Sequence, residues 1–169
     1  MQIRLFFLLA AAIVLQVLPG CASYEGRGLV PGQSTAADVE RIMGQPKEKL
    51  TEHTGETVWF YPHNPAGRDT YAVRIARDGR VVDVEQRLTI NNIAKLVPGT
   101  STRNDVSLIF GPPYRVTFLP IQVREVWEYR MFNQIQIPHN LFVQYSTDGI
   151  VREVLLLRDP SQDMPAPFR

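Results

Sequence analysis

Two short segments, residues 35–46 and 102–113, carry apolar side chains at intervals of three and four residues. These positions are Val39, Ile42 and Met43 in the first segment and Val106, Ile109 and Phe110 in the second. This spacing predicts an amphipathic helix of about two turns that buries one face. Each segment begins with Thr and has Asp three residues later, which is typical of a helix N cap. Gly44 and Gly111, each followed two residues later by Pro, predict that the helices end in a left-handed residue.

Alternating apolar and polar residues after each predicted helix indicate β-strands. The predicted strands are residues 58–61, 71–75 and 80–88 after the first helix and residues 126–129, 141–145 and 150–158 after the second. Asp78-Gly79 and Asp148-Gly149 precede the last strand of each set, and Asp-Gly favours a type I′ hairpin turn. The predicted fold class is therefore α+β. Each unit is expected to pack a short helix or helix pair on a three-stranded antiparallel meander.

The two units are copies of each other. Residues 29–46 and 96–113 are identical at eleven of eighteen positions, with a constant offset of 67 residues. We therefore expect a first repeat at residues 28–88, a second repeat at 89–158 and a flexible, proline-containing tail at 159–169. A unit of about 60 residues buries too little apolar surface to be comfortably stable alone. The two repeats are therefore expected to share an interface, and residues 90–96 are expected to add a short helix between them.

Residues 1–20 have the pattern of a secretory signal peptide. Arg4 supplies one positive charge, and the apolar run at residues 5–18 is shorter than the roughly 20 residues of a transmembrane helix. The run ends in the sequence Leu-Pro-Gly-Cys at residues 18–21. That sequence resembles the lipobox of bacterial lipoproteins.

The lipobox resemblance implies that Cys21 is the first residue of the mature chain and carries the lipid. Residues 21–27 would then form a lipidated tether. Ala22 stands where Asp would retain an enterobacterial lipoprotein in the inner membrane. The resemblance therefore implies a lipid-anchored protein of the outer membrane that faces the periplasm.

Composition narrows the functions that fit the chain. Lys and Arg total 18 and Asp and Glu total 17, so the formal net charge is +1, and loss of Arg4 with the signal peptide makes it zero. A neutral chain lacks the basic surface that nucleic-acid binding requires, so no nucleic-acid partner is expected. The single cysteine excludes an intramolecular disulfide. Stability must therefore come from the apolar core.

No pattern in the sequence indicates catalysis. His53, His63 and His139 are far apart, and the sequence has no HExxH motif and no cysteine partners for them. Asp38 and Asp105 could be read as paired carboxylates for acid–base chemistry, but a duplicated helix cap explains both positions. We therefore expect a protein that is not an enzyme and has no catalytic residues, no metal and no cofactor.

The motif shared by the repeats is L-V-P-G-x-S-T-x-x-D-V-x-x-I-x-G-x-P, followed by V-W-x-Y and by strands around D-G. It resembles the SmpA/OmlA (BamE-like) domain of outer-membrane lipoproteins, here in tandem over residues 28–88 and 95–158. The resemblance implies a non-enzymatic binding or scaffold module in outer-membrane protein assembly or envelope integrity. Its partners would be proteins of the barrel-assembly machinery or another periplasmic protein.

A tandem of such units also resembles the β-lactamase inhibitor protein in architecture. That resemblance implies an alternative function, in which the chain inhibits or regulates a periplasmic enzyme. The enzyme would be held by a concave sheet to which both repeats contribute.

The repeats differ most between residues 113 and 140, where the second gains apolar bulk. The added segments, residues 118–121 and 131–138, either fill the space between the repeats or form an exposed patch for a partner. The sequence leaves both possibilities open. Because a feature that only one copy has is the better candidate for function, Phe118 and Phe132 are predicted to bind a partner.

Overall fold

A computed structural model describes residues 23–65 and 67–162. The helices are α1 (Ala36–Met43), α2 (Ile90–Ile93) and α3 (Arg103–Phe110), followed by a 3₁₀ turn at Pro160–Gln162. The strands are β1 (Glu48–Thr51), β2 (Thr57–Pro62), β3 (Thr70–Ile75), β4 (Val81–Gln86), β5 (Arg115–Leu119), β6 (Arg124–Phe132), β7 (Pro138–Tyr145) and β8 (Val151–Arg158). The fold is α+β, with two four-stranded antiparallel sheets in the orders β1-β2-β3-β4 and β5-β6-β7-β8. No helix within the described ranges is long and apolar enough to cross a bilayer.

Both longer helices begin at the predicted N caps. The Thr35 hydroxyl accepts a hydrogen bond from the Asp38 N–H, and the Asp38 carboxylate accepts one from the Thr35 N–H at 3.0 Å. Thr102 and Asp105 form the same capping box at the start of α3. Hydrogen bonds from Arg41 and from Thr35 lower the pKa of Asp38 to about 2, so this cap is charged at neutral pH. The prediction of duplicated helix caps is confirmed.

Gly44 and Gly111 end the helices, but the predicted left-handed helical conformation is wrong. Their φ angles are 81° and 74°, whereas their ψ angles are −162° and −159°. Essentially only Gly occupies this region. The carbonyls of the two glycines accept hydrogen bonds from the hydroxyls of Tyr61 and Tyr129, at 3.2 and 3.1 Å. The extended ψ angle directs the chain into the next strand. It also leaves the carbonyl of each glycine free to accept the hydrogen bond from the tyrosine hydroxyl.

Each helix packs on its own sheet through equivalent side chains. In the first repeat, Val39 and Met43 of α1 pack with Trp59, Tyr61, Val73, Ile75 and Val81. In the second repeat, Val106 and Phe110 of α3 pack with Trp127, Tyr129, Val143, Tyr145 and Val151. The helices are too short to be stable in isolation, so this packing holds them in place.

The prediction of a three-stranded meander is wrong, because each sheet has a fourth strand. The additional strands are β1 and β5, which pair with β2 and β6 at the sheet edges. β1 has four residues, two of them Glu48 and Lys49, and four of the five residues of β5 are exposed. β1 has only one apolar residue, Leu50, and the alternation in β5 is limited to Val116 and Phe118, so neither pattern was long enough to predict a strand.

The Asp-Gly turns also differ from the prediction. Gly79 has a φ angle of 83°, but Asp78 lacks the positive φ that a type I′ turn requires at both central positions. The Gly79 N–H donates to the Ala76 carbonyl at 2.9 Å, and the Ala76 N–H donates to the Arg80 carbonyl at 2.8 Å. The second repeat has equivalent bonds. Each connection is therefore a type I turn closed by a glycine bulge.

The face of the first sheet that points away from α1 is also apolar and buried. Val58, Phe60 and Ala72 have no exposed surface. The second repeat contacts this face, since a Cβ built on Gly111 would lie 2.4 Å from the Phe60 ring. The expected interface between the repeats is therefore present.

The connection between the repeats is packed and partly helical. Helix α2 is shorter than the helix expected at residues 90–96, and Thr89 caps it by accepting a hydrogen bond from the Asn92 N–H at 3.2 Å. Leu88 and Leu96, on either side of α2, belong to the core of the second repeat. The two repeats are thus joined by a segment that contributes to the core.

The described part of the expected tether, residues 21–27, is in contact with the first repeat. The Ser23 N–H donates to the Ile42 carbonyl at 2.9 Å, and Gly26 is buried beside Met43. Gly26, which has no side chain, permits this close packing. Residues 21–22 lie outside the described part of the chain.

The expected flexible tail at residues 159–169 begins with packed residues. Asp159 is 5% exposed and forms an ion pair with Arg68 of the first repeat. The prolines disfavour a helix or strand in this segment, but they do not prevent a buried ion pair. The predicted flexibility is therefore wrong for Asp159. Residues 163–169 lie outside the described part of the chain.

Gly111→Ala is expected to destabilise the protein more than Gly44→Ala. Both substitutions place a side chain in a backbone region that costs about 1–3 kcal/mol. A Cβ at Gly44 meets no atom within 4 Å, whereas a Cβ at Gly111 would meet the Phe60 ring at 2.4 Å. Urea unfolding monitored by circular dichroism measures the difference. Equal unfolding free energies for the two variants would contradict the packing of α3 on the first sheet.

Candidate binding surfaces

The residues predicted to carry function do not come together in one site. Cys21 lies outside the described residues. Phe118 is on the edge strand β5, paired with Glu125, and Phe132 is at the far end of β6. Seven residues separate Glu125 from Phe132, which is about 23 Å along a strand. Because the separation is odd, Phe118 and Phe132 also lie on opposite faces of the sheet. They therefore belong to two different surfaces.

Phe132 lines a cleft of about 470 Å³ between the two repeats. Leu88 and Ile90 of the connecting segment supply further apolar surface. The cleft also has polar lining residues from both repeats and from the N-terminal segment, namely Glu25, Asp69, Gln86, Asn133, Gln134 and Gln136. An apolar surface with several amides and two carboxylates can hold a ligand by burial and hydrogen bonding together.

The carboxylates of the cleft lie close to a tyrosine. Burial raises the pKa of Tyr71, and the nearby charges of Glu25 and Asp69 raise it further. The Tyr71 hydroxyl is therefore protonated at neutral pH. The Asp69 carboxylate accepts a hydrogen bond from the Gln86 amide at 3.2 Å. Glu25 is already paired with Arg27 at 2.7 Å, so the carboxylate that this end of the cleft offers to a hydrogen-bond-donating group is that of Asp69.

A pocket of about 320 Å³ shares Glu25, Asp69 and Tyr71 with the cleft. The N-terminal segment forms part of this pocket, and the ring of Tyr24 stacks on His63 with the centroids 4.3 Å apart. The segment that directly follows the predicted lipidation site is therefore part of the cleft region. Sequence reasoning missed Glu25 and Asp69, because charged residues in loops carry no periodic signal.

Arg68 connects the two repeats. Its guanidinium donates to the carbonyl of His139 and to Oδ1 of Asn140, both at 3.1 Å, and forms an ion pair with Asp159. The Arg68 and Asp159 side chains are only 7% and 8% exposed. Burial alone would raise the pKa of Asp159, but hydrogen bonds from Ser161 and Arg68 hold it below its usual value. The pair is therefore ionised at neutral pH.

Phe118 belongs to a second surface, the apolar hairpin, which consists of Val116, Phe118, Ile121 and Val123. These side chains are 54%, 58%, 91% and 50% exposed. Val123 also has a φ angle of 53°, which is strained for a β-branched residue. An exposed apolar group of this kind is typical of an interaction surface.

The described residues contain no group of three or more His, Cys, Asp or Glu side chains that could hold a metal ion. His63 stacks on Tyr24, and Nδ1 of His139 lies 2.9 Å from the carbonyl of Ile137. Both histidines thus have contacts that fix local structure. What the two surfaces offer is apolar contact, hydrogen bonding and negative charge.

No family model matches the chain, and no curated protein matches it significantly. Among solved structures, the chain is similar to a DUF4309 family protein (YjgB) from Bacillus subtilis. The two are 19% identical, the match covers 79% of this chain and 84% of that chain, and the TM-score is 0.31. A TM-score this low supports no conclusion about fold or function.

Arg68→Met is expected to destabilise the protein by about 3–5 kcal/mol, because it leaves the Asp159 carboxylate buried without a partner. Arg68→Met combined with Asp159→Leu should recover much of this loss, since neither charge remains. Arg27→Ala is the control, because its ion pair with Glu25 is largely exposed and should contribute at most about 1 kcal/mol. Chemical unfolding at pH 7 measures all three variants. An Arg68→Met variant as stable as Arg27→Ala would contradict the buried ion pair.

Proposed function

We propose that the chain is a non-enzymatic binding module, anchored by lipid to the outer membrane and facing the periplasm. It would act in outer-membrane protein assembly or envelope integrity, as tandem SmpA/OmlA (BamE-like) units. The lipobox at residues 18–21 and the two copies of the family motif, at residues 29–46 and 96–113, support this proposal. Further support is that the capping boxes and the tyrosine–glycine contacts recur in both repeats.

The observation that carries the proposal is the cleft at Phe132. Its amides can pair with the backbone of an extended protein segment, and Phe132 and Leu88 can receive an apolar side chain. Asp69 would favour a Lys or Arg of that segment, since Glu25 is already paired with Arg27. We therefore propose that the cleft takes a peptide segment of a partner protein, either from the barrel-assembly machinery or from another periplasmic protein.

The cleft is also close to the predicted anchor. Glu25 is four residues from Cys21, so a fully extended chain would separate them by at most about 14 Å. A lipid on Cys21 would keep the cleft near the membrane surface. A partner recognised there would be membrane-bound itself or in transit to the membrane.

The alternative function, inhibition or regulation of a periplasmic enzyme, needs one concave sheet built from both repeats. Strands β1–β4 and β5–β8 are hydrogen-bonded as two separate sheets. These strands therefore do not form one hydrogen-bonded sheet of eight strands within one chain. We favour the binding module for this reason.

Cys21→Ser is expected to abolish lipid attachment and to leave the chain uncleaved at this site. The thioether to diacylglycerol requires the cysteine sulfur, and a serine hydroxyl cannot replace it. Labelling of cells with [3H]palmitate, followed by immunoprecipitation, measures attachment. Unchanged labelling of the variant would contradict the proposed anchor.

Phe132→Asp is expected to lower partner capture at least about tenfold while the protein remains folded, because the residue lines an open cleft. Leu157→Asp is the control, since Leu157 lies on β8 of the same repeat and is 52% exposed. Affinity purification from detergent-solubilised membranes, with mass spectrometry, measures capture. Circular dichroism melts measure folding.

Two results would contradict the proposed role of Phe132. If Phe132→Asp unfolds the protein, the residue belongs to the core and the binding site lies elsewhere. If the variant stays folded and captures the same proteins as Leu157→Asp, the cleft is not the binding site. Recovery of one soluble enzyme, and not of barrel-assembly subunits, would favour the alternative function.

A further inference from the structure

Strand β5 is an open sheet edge with apolar side chains. It pairs with β6 on one side, and no strand among the described residues pairs with the other side. Val116 and Phe118 are more than half exposed, and the hairpin that β5 forms with β6 ends in Ile121 and Val123, which are also exposed. Proteins usually protect such an edge, because its free N–H and C=O groups can pair with another strand.

The first repeat protects the equivalent edge. Lys49 of β1 pairs with Trp59, and Val116 of β5 pairs with Trp127, so Lys49 and Val116 occupy the same position. The Lys49 ammonium lies 3.6 Å from the centroid of the Trp59 ring and 3.1 Å from the Glu40 carboxylate. A charged residue on an edge strand disfavours pairing with another chain. The second repeat has an apolar residue at this position, and the one charged residue of its edge strand, Arg115, lies beside Glu128 of its own chain.

The same comparison extends along the strand. The position of Phe118, opposite Glu125, corresponds to that of Thr51, opposite Thr57. The position of Thr117, opposite Val126, corresponds to that of Leu50, opposite Val58. Both repeats have this edge strand, but its side chains differ. On the sheet face that carries the tryptophan, β5 has apolar Val116 and Phe118, whereas β1 has the polar residues Lys49 and Thr51.

We propose that β5 pairs antiparallel with β5 of a second copy of this chain, about a two-fold axis at Thr117. In this register Val116 lies opposite Phe118 of the second copy, and an aromatic side chain opposite a β-branched one is a favourable cross-strand pair. Arg115 lies opposite Leu119, so no like charges face each other. The two sheets β5–β8 become one continuous sheet of eight strands.

The chemistry of β5 favours a second copy as the occupant. The edge has one charged residue, Arg115, which lies 3.7 Å from the Glu128 carboxylate of its own chain, so it does not call for an oppositely charged partner. The two-fold axis places Val116 and Phe118 of one copy beside Phe118 and Val116 of the other, and the two hairpin turns lie at opposite ends of the paired strands. Each copy then supplies the apolar surface that the other requires.

Disulfide cross-linking across the proposed axis tests the pairing. Thr117→Cys places a thiol directly opposite its own copy, at a separation suited to a disulfide. The purified full chain in mild detergent is treated with copper–phenanthroline and analysed by non-reducing gel electrophoresis. The expected result is a band at twice the monomer mass. Leu50→Cys is the matched control on β1 and should remain monomeric, as should the chain without an added cysteine.

A second variant removes the pairing without removing the strand. Val116→Lys with Phe118→Thr gives β5 the side chains that β1 has at the same positions, so the repeat should fold normally. In the Thr117→Cys background this change should lower the cross-linked fraction about tenfold or more, because a lysine would be brought into the paired edge. Circular dichroism melts confirm that the variant is folded.

Two outcomes would overturn the proposal. One is cross-linking of Thr117→Cys that does not exceed that of Leu50→Cys. The other is a cross-linked fraction unaffected by Val116→Lys with Phe118→Thr, since contact would then not depend on the β5 edge. In cells, an adduct of Thr117→Cys with a different protein, and none with itself, would also overturn the dimer. None of these results bears on the cleft at Phe132.

Discussion

The first sheet has two apolar faces, and the fold depends on covering both. Helix α1 covers the face that carries Trp59 and Tyr61. The opposite face, with Phe60 at its centre, is covered where the end of α3 reaches it at Gly111. A single repeat would leave Phe60 in water, which explains in physical terms why the unit occurs as a pair. The buried Arg68–Asp159 pair adds a directional contact across the same two repeats.

The features that depend only on side chains at a fixed local spacing were the ones that the sequence predicted well. Thr-x-x-Asp identified both N caps, because the capping box depends on side chains at fixed spacing and on nothing distant. The Gly ψ angles and the Asp-Gly turn type were predicted incorrectly, since both depend on where the next strand runs. β1 and β5 were missed for a related reason. They are edge strands placed by hydrogen bonds to β2 and β6, and their apolar pattern is short: β1 has only Leu50, and the alternation in β5 is limited to Val116 and Phe118.

The candidate surfaces were predictable only in part. The divergence between the repeats identified Phe118 and Phe132, and both line surfaces that a partner can reach. The sequence could not show that they lie on opposite faces of one sheet. It also gave no sign of Arg68 and Asp159, which are separated by 91 residues and meet only in the folded chain. Charged residues in loops become informative only when the fold brings them together.

The difference between Phe60 and Glu128 has a consequence for how many repeats can be joined. The two residues hold equivalent places in the V-W-x-Y strands, and Glu128 is 3.7 Å from Arg115. The contact between the repeats joins the helix end of one unit to the sheet face of the other. If all units were identical, the same contact could be repeated by each new unit, and the series would grow into a filament. An ion pair in place of Phe60 makes the last face costly to cover, because a further unit would have to remove the Arg115 guanidinium, which is 61% exposed, from water. The pair of Glu128 with Arg115 thus disfavours the addition of a third unit.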